Sequence, residues 1–501
     1  MDVVPLQVVT DLTVCICPTI SPSTCELDTR IWHRIEKDLY LYTSQQSAWL
    51  YVALANEEEL TPMDRLVMGI RVGGPSPGDS WESRPGGIWV LRSMFIGTIG
   101  QAVTQVDVLF GMDAVDPRPQ WTLMSSSLQL EGQPTEPAPR LSVLHGRAEP
   151  KPDARATLRV REDGTFKIVQ ISDTHMVTGV GVCEDAIDAD GKDLPKSVAD
   201  PLTVDFIGRT LDVEKPDLVI LTGDQLHHDI PDSQSALFKV VAPMIDRSIP
   251  FATVFGNHDS EGTHALSRPE HVCGVGNFCL QVLAPAPSQI PVSTLYFLDS
   301  HGEVSTKIRK PDYDPIEQSQ IDWFTDTSRA QRLAREKDDS ENSCFHLSLA
   351  FQHIPLPEFR DPYLSIRNGQ QGEPPETPSL NSHFYAALVE GGVSALGCGH
   401  DHVNNFCALL PQQTPQKGGK PPQSGPWLCY GGGSGFGGYC SYGGKRYHRG
   451  TRVWELVPSD RSLKTWRRVE HAMVRVDELV LVKGGAVVDS GEDEDGNDVV
   501  S

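Results

Sequence analysis

The spacing of apolar residues changes near residue 160 of the 501-residue chain. Before that point, short aromatic and β-branched runs such as residues 47–54 and 87–92 alternate with proline and glycine turns such as residues 74–78. Runs of this kind between turns are typical of strands. The pattern predicts a smaller, mainly-β N-terminal domain over residues 1–150, of unknown role, and a proline-rich linker over residues 133–152.

After residue 160, strand-like and helix-like segments alternate. Residues 166–171 and 217–222 are short apolar runs, and residues 200–211 between them have helical spacing after an Asp-Pro start. Near-continuous apolar strands are covered on both faces, so we expect an α/β (α+β) domain over residues 160–460. We further expect a C-terminal extension over residues 461–488 and a disordered acidic tail over residues 489–501.

Side chains that can bind a metal follow five of the strand-like runs. They are Asp173 with His175, Asp224, Asn257 with His258, His353, and His400 with His402. Any one of them is an ordinary cap or turn residue by itself. Because the carboxyl ends of strands in an open α/β sheet converge on one crevice, five in the same position predict a single site.

The residue types in this set indicate a metal centre. Imidazoles and carboxylates without thiolates suit Mn, Fe or Zn. The set is too large for one ion with room for substrate, but two ions that share a bridging carboxylate would use it well. Two divalent cations against Asp173 and Asp224 leave a local positive surplus that matches a phosphate dianion, in a chain of net charge −24.

Composition excludes several classes of partner. The acidic balance disfavours nucleic acid, and we expect no membrane segment, because no window approaches the ~20 apolar residues that a spanning helix needs. An acidic N-terminus predicts no signal peptide. The 11 cysteines have no regular spacing, which predicts reduced thiols and a cytoplasmic or nuclear location.

The five blocks together resemble the calcineurin-like metallophosphoesterase superfamily. The matching motifs are Asp173-Thr-His175, Gly223-Asp224, Gly256-Asn-His-Asp259, His353 and Gly399-His-Asp-His402. The resemblance implies a four-layer α/β/β/α sandwich. More narrowly, residues 81–89 and 108–119 are similar to the fungal phosphatases named for dose-dependent cell-cycle regulation.

The resemblance also implies a role for each residue. Asp173, His175 and His402 would bind the first ion, Asn257, His353 and His400 the second, and Asp224 would bridge both. His258 would act as general acid, oriented by Asp259, while a hydroxide held between the ions attacks phosphorus. Purple acid phosphatases have tyrosine where this chain has His227, so the identity of the metals stays open.

The remaining motifs give weaker evidence of function than the five blocks. His227 and His228 are predicted to be exposed loop residues, and the glycine-rich residues 430–438 a flexible turn. Asp299-Ser300-His301 lacks a nucleophile elbow and is expected at a pocket edge. The basic cluster of residues 445–449 fits either a solvated surface or a phosphoprotein contact.

The function predicted from the sequence is a dimetal phosphatase. Its substrate is expected to be a small phosphomonoester or a protein that carries phosphoserine or phosphothreonine. Two alternatives stay open at this stage: a phosphodiesterase or nuclease that uses the same site, and a non-catalytic interaction protein.

Overall fold

The computed structural model describes the chain outside residues 1–5, 19–26, 42–45, 77, 132–136, 149–156, 195, 229, 260–271, 275, 305–311, 338–345, 412–424, 473 and 490–501. The chain divides into two compact units: Met1–Ala154 with Val177–Gly181 and Ile230–Ala242, and Arg155–Met176 with Val182–Asp229 and Pro243–Ser501. The acidic tail predicted for residues 489–501 lies, apart from Asp489, outside the described part of the chain.

The first unit contains three antiparallel three-stranded sheets. Its strands are β1 (Gln7–Pro18), β2 (Trp32–Arg34), β3 (Gln46–Asn56), β4 (Arg65–Val72), β5 (Trp81–Arg84), β6 (Ile88–Met94), β7 (Val103–Phe110), β8 (Trp121–Ser127) and β9 (Pro139–His145). The strand orders are β1-β3-β2, β4-β6-β5 and β7-β9-β8. One cluster of buried side chains from all three sheets, including Leu12, Leu50, Val90 and Phe110, forms the core. The mainly-β N-terminal domain is confirmed.

The predicted linker at residues 133–152 is wrong in its central part. Strand β9 lies there, in the middle of its sheet, between β7 and β8. Leu141, Val143 and Leu144 are buried in it. Proline and charged residues on either side of this short apolar run hid it in the sequence.

The second unit contains two seven-stranded sheets and two small two-stranded sheets, β15-β16 and β22-β23. The first has the order β12-β11-β10-β24-β25-β26-β27 and the second β13-β14-β17-β19-β21-β20-β18. The strands are β10 (Phe166–Ile171), β11 (Leu218–Thr222), β12 (Phe251–Val254), β13 (Phe278–Leu283), β14 (Pro291–Phe297), β15 (Glu303–Val304), β16 (Asp312–Tyr313), β17 (Leu347–Phe351), β18 (Ser365–Asn368), β19 (Val393–Cys398), β20 (Cys407–Leu409), β21 (Trp427–Tyr430), β22 (Ser441–Tyr442), β23 (Lys445–Arg446), β24 (Gly450–Val457), β25 (Ser462–Val469), β26 (Val476–Lys483) and β27 (Ala486–Val487).

Four α-helices complete the described structure: α1 (Ala199–Glu214), α2 (Ser233–Asp246), α3 (Gln318–Lys337) and α4 (Phe384–Gly391). The first ten residues of α2 belong to the β-rich unit, where Ser235 Oγ accepts a hydrogen bond of 2.8 Å from the backbone N–H of Phe110. Among the described helices, none is long and apolar enough to cross a membrane.

The second unit is layered as predicted. Side chains from both seven-stranded sheets, among them Ile220, Phe297 and Trp454, share one buried core between the sheets. On the other face of the second sheet, Phe324 of α3 and Phe384 of α4 join a second buried cluster, while α1 contacts β10 of the first sheet. The α/β class and the metallophosphoesterase-type sandwich are confirmed.

The five candidate strand ends belong to two sheets. Strands β10, β11 and β12 are parallel neighbours in the first sheet, whereas β17 and β19 are parallel neighbours in the second. The argument that a single open sheet gathers these ends is therefore wrong. The carboxyl ends of parallel strands from both stacked sheets supply the residues.

The prediction of reduced thiols is wrong for three of the described cysteines. A disulfide joins Cys407 of β20 to Cys429 of β21, which face each other across an antiparallel pair of strands. Cys17 is disulfide-bonded too, whereas six other cysteines in the described part of the chain are free thiols. The pair was not evident from the sequence because 22 positions separate its members. The cysteine argument for a cytoplasmic or nuclear location is thereby lost, and that location stays a prediction.

Candidate metal centre

Most of the predicted ligands sit on sharp turns at strand ends. Asp173, His175, Asp224 and His400 have φ between 46° and 76°, in the left-handed region that residues with a Cβ seldom adopt. Such conformations persist where the surroundings impose them, and they cluster at functional sites. The backbone is thus bent at these four positions to direct side chains across the strand ends.

The first donor set consists of Asp173, His175 and His402, all buried. The Nε2 atoms of the two histidines are 3.0 Å apart, and Nε2 of His402 is 3.6 Å from Oδ1 of Asp173. One ligand atom from each of the three residues lies within 4.8 Å of the others. These are the residues predicted for the first ion.

The second donor set consists of Asp224, Asn257, His353 and His400. Nε2 of His353 lies 3.3 Å from Oδ2 of Asp224, 3.0 Å from Oδ1 of Asn257 and 3.3 Å from Nδ1 of His400. The carboxylate and the two histidines again offer ligand atoms within 4.8 Å of one another. The structure thus brings together every residue predicted for the second ion.

Asp224 connects the two sets. Its Oδ2 atom lies 3.3 Å from Nε2 of His353 in one set and 3.9 Å from Nε2 of His175 in the other. Its Oδ1 atom accepts a hydrogen bond of 2.9 Å from the backbone N–H of His258, which holds the carboxylate in place. This is the position that a bridging ligand requires.

The hydrogen bonds of the rings show that the donor atoms suit metal ions. Nδ1 of His402 donates to the carbonyl of Tyr439 over 2.8 Å, and Nδ1 of His353 donates to the carbonyl of Thr222 over 2.8 Å. A histidine that donates from one nitrogen to a carbonyl presents the other as a ligand, as metal-binding histidines do. Lone pairs and carboxylates therefore face one another in a buried space, which a pair of cations would balance.

The electrostatics of the set agree with this reading. Burial lowers the pKa of His402 to about 4 and, together with the charge on His353, that of His400 to about 3, so both rings are neutral ligands at pH 7. Burial also raises the pKa of Asp173 to about 7. For His353, burial lowers the pKa, but the charges of Asp224 and Asp173 and the hydrogen bonds to Asp224 and Thr222 together raise it to about 10. The field that holds a proton on His353 would equally hold a cation.

His258 and Asp259 lie on the turn after β12. The side chain of His258 is 29% exposed, and its Nε2 lies 3.9 Å from Oδ2 of Asp224. The two carboxylate oxygens of Asp259 accept hydrogen bonds from the backbone N–H groups of Gly256 (2.9 Å) and Leu226 (3.0 Å). Asp259 therefore ties this turn to the loop after β11, which places His258 beside the donor sets.

Comparison with known proteins identifies the family. The model of the family described as calcineurin-like phosphoesterase matches residues 166–404. A protein of Arabidopsis thaliana named probable inactive purple acid phosphatase 29 is 33% identical over 359 residues, which are 63% of this chain and 85% of that protein. The chain belongs to the calcineurin-like phosphoesterase family.

A second relative in this family is the phosphatase DCR2 of Saccharomyces cerevisiae. It is 34% identical over 403 residues, or 73% of this chain. The chain spans 64% of the length of that relative. Relatives of the calcineurin-like type thus include one named a phosphatase and one named probably inactive.

Comparison with solved structures finds matches of low identity that include two phosphatases. The purple acid phosphatase PPD1 of yellow lupin is 13% identical, with a TM-score of 0.39, over 90% of this chain and 73% of that one. A dimetal phosphatase of Danio rerio is 14% identical, with a TM-score of 0.37, over 64% of this chain and 99% of that one.

The glycine-rich residues 430–438 lie behind the first donor set, contrary to the prediction of a flexible turn. All of them are buried. A Cβ atom at Gly438 would lie 2.5 Å from Cε1 of His402, and one at Gly435 would lie 2.0 Å from the carbonyl oxygen of Thr174. Glycine is required here because the segment passes directly against the ligands.

Tyr439, at the end of this segment, was not recognised in the sequence. Its ring stacks on that of His402 with centroids 4.0 Å apart, and its hydroxyl donates to Glu373 Oε1 over 2.9 Å. Its carbonyl accepts the Nδ1 hydrogen of His402. The glycine run was the available signal, because glycines in series mark a close approach of the backbone to another group.

The prediction of exposed loop histidines is wrong for His227. This residue is half-buried, and its Nδ1 lies 3.4 Å from Nδ1 of His175, on the side of the ring that faces away from His402. His228 is exposed, with its ring centroid 5.4 Å from that of His258. Of the predicted pocket-edge residues, His301 Nε2 contacts Gln320 Oε1 at 2.8 Å.

His400 has neighbours that the sequence did not suggest. The ring of Tyr313 packs edge-on against that of His400 with centroids 4.8 Å apart. The hydroxyl of Tyr313 donates to Glu376 Oε2 over 3.1 Å, and the same oxygen lies 3.9 Å from Nε2 of His400. Tyr313 therefore packs against the imidazole, whose Nε2 has no hydrogen-bond partner among the described residues.

Proposed function

We propose that this phosphoesterase hydrolyses phosphomonoesters with two divalent ions, Mn, Fe or Zn, held by the two donor sets. The observation that carries the proposal is the position of Asp224. One oxygen atom, Oδ2, lies within 3.9 Å of ring nitrogens from His175, His353 and His258. Both donor sets and the candidate acid therefore meet at one point, as hydrolysis of an ester at a dimetal centre requires.

The protein supplies position and protons. When bound, two divalent ions neutralise the phosphoryl oxygens and lower the pKa of water so that it can attack phosphorus. Asp173, Asp224, Asn257 and the histidines of the two donor sets would hold these ions. His258, partly exposed beside Asp224, can donate a proton to the leaving oxygen. Asp259 fixes the turn that carries it.

The donor sets support an active enzyme. Relatives named probably inactive make loss of catalysis a real alternative for this chain. A non-catalytic descendant has no need of a complete set of ligands, yet here every residue of both predicted sets is present and directed inwards. Inward-facing lone pairs in a buried space are costly without a cation, which favours retention of metal.

The proposed substrate class is a phosphoserine or phosphothreonine side chain in a protein. Support for it comes from the resemblance of residues 81–89 and 108–119 to the fungal phosphatases and from the 34% identity to the phosphatase DCR2. A phosphomonoester dianion also matches the surplus of two positive charges that two divalent ions leave over Asp173 and Asp224.

The test uses the full chain loaded with Mn²⁺. We expect turnover of an aryl phosphate monoester and of phosphoserine or phosphothreonine peptides, and much slower turnover of the matching aryl diester. His258→Ala should lower the turnover of the monoester by about 10²- to 10⁴-fold with its metal content unchanged, since general acid catalysis contributes that much.

His228→Ala is the matched control, because it removes a neighbouring exposed histidine and should leave turnover unchanged. Full activity of His258→Ala would contradict the proposed acid. A preference for the diester would identify a phosphodiesterase instead. A metal-loaded chain that turns over neither ester would favour the non-catalytic alternative.

A further inference from the structure

Another cluster of potential ligands lies apart from the donor sets described above. His448, Glu470 and His471 each offer one ligand atom, and these atoms lie within 4.8 Å of one another. His448 precedes β24, and the other two residues follow β25. Because Gly450 of β24 pairs with Val469 of β25, the open end of this hairpin brings the three side chains together.

The carboxylate of Glu470 is the strongest indication of a bound cation. Its side chain is 1% exposed. Oε1 accepts a hydrogen bond of 3.1 Å from the backbone N–H of Arg449, but Oε2 is buried with no hydrogen-bond partner among the described residues. That oxygen faces His471, whose Nε2 lies 3.6 Å away, beyond hydrogen-bond distance. A buried carboxylate oxygen without a partner costs free energy unless a cation or a donor reaches it.

The two imidazoles are held in a manner common for metal ligands. Nε2 of His448 lies 3.0 Å from the carbonyl oxygen of Asp188, and Nε2 of His471 lies 3.1 Å from that of Ile187. A ring that donates to a carbonyl from one nitrogen keeps a lone pair on the other. Nε2 is the donating atom in both rings, so Nδ1 is the atom left for an ion, and the ring centroids lie 5.3 Å apart.

We propose that His448, Glu470 and His471 form a third metal site, which takes one divalent transition ion of the zinc type. Two imidazoles and one carboxylate are a ligand set that Zn²⁺ accepts, with a fourth position left to water. His471 is 35% exposed, so solvent can fill that position. Bonds of about 2.1 Å would draw the donors to roughly 3.3 Å from one another.

The position of the site suggests what such an ion would do. The backbone N–H of Arg449 donates a hydrogen bond to Glu470. The buried guanidinium of Arg449 donates to the carbonyls of Gly435 and Gly438. Those glycines belong to the segment that packs against the first donor set. An ion that fixes Glu470 would therefore stabilise the support behind His175 and His402, at a distance from the substrate.

The test measures the number of zinc ions bound per chain. Full chain is saturated with Zn²⁺, freed of excess metal by gel filtration and analysed by elemental mass spectrometry. The variant His448→Ala/His471→Ala should bind one ion per chain fewer than the wild type, whatever number the other donor sets retain. His33→Ala, which removes an exposed histidine of β2, is the control and should bind as many ions as the wild type.

A gain of signal tests the same site without relying on loss. His471→Cys replaces an imidazole by a thiolate, and with Co²⁺ it should show thiolate-to-cobalt charge-transfer absorption in the near ultraviolet that His33→Cys lacks. Equal metal content in the wild type and the double variant, or no such band in His471→Cys, would overturn the proposal and leave a simple ion pair between Glu470 and His471. Failure of the dimetal centre would instead lower the ion count of every variant equally.

Discussion

Buried charges are arranged differently in the N-terminal unit and in the metal centre. In the N-terminal unit they are paired: Lys239 Nζ lies 2.8 Å from Asp113, and Lys37 Nζ lies 3.3 Å from Asp232. In the metal centre, every ion pair that Asp173 or Asp224 makes within the described residues is with a histidine. The first arrangement is complete without a ligand, whereas the second needs positive charge from outside the chain. The paired charges of the N-terminal unit thus serve stability, whereas Asp173 and Asp224 serve function.

The largest expected effect comes from Asp224→Asn. Asparagine keeps the oxygen that accepts the His258 N–H but removes the charge between the two donor sets. We expect loss of bound metal and a fall in phosphomonoester turnover of about 10³-fold or more, because metal ions contribute several kcal/mol to such reactions. Elemental analysis and initial rates measure both. The free energy of unfolding in urea with EDTA should be unchanged. A clear loss of stability under these conditions would contradict the distinction between charges that serve stability and charges that serve function.

Lys239→Met should have the opposite profile. The Lys239 side chain is 2% exposed, and its loss leaves the Asp113 carboxylate without its cation in a largely buried place. We expect about 3 kcal/mol less free energy of unfolding in urea, with metal content unchanged. In the double variant Lys239→Met/Asp113→Asn, most of the stability should return. A double variant as unstable as the single one would show that packing, and not charge, is responsible.

Tyr439→Phe tests the support of the metal centre. Phenylalanine keeps the stacking on His402 and the backbone carbonyl but removes the hydroxyl that donates to Glu373. Since residues that orient a ligand contribute about 10- to 100-fold to metal affinity, we expect about tenfold weaker binding in a chelator competition. Tyr442→Phe, on an exposed tyrosine nearby, is the control. Equal affinities in the two variants would place Tyr439 outside the metal-binding apparatus.

The smallest expected effect concerns Glu82 in the N-terminal unit. Hydrogen bonds from Arg92 and Arg84 lower the pKa of this carboxyl to about 2. A carboxyl whose pKa falls on folding stabilises the protein above its unfolded pKa of about 4.3, and this contribution disappears as the pH falls towards 2. Water screens the pair, so Glu82→Gln should cost less than about 1 kcal/mol at pH 7. Thermal unfolding of both proteins should differ at pH 7 and converge near pH 2; a constant difference would exclude charge as the cause.

The ligands of the metal centre could be predicted from the sequence because each follows a short apolar run. The strand ends at residues 171, 222, 254, 351 and 398 are visible as the points where apolar residues stop. The roles of Asn257, His258 and Asp259 came from the family resemblance, and they remain predictions. The supporting residues could not be found in this way, since Tyr439 and Glu373 contact each other across 66 positions of sequence.

By itself, the sequence determined where the five strands that precede the ligands end, which side chains follow them, and that imidazoles with carboxylates suit two divalent ions. Local spacing controls these features. Only the tertiary structure decided that the strand ends belong to two stacked sheets, that a glycine segment supports His402, and that Cys407 pairs with Cys429. These depend on contacts between distant segments, which the order of apolar and polar residues does not specify.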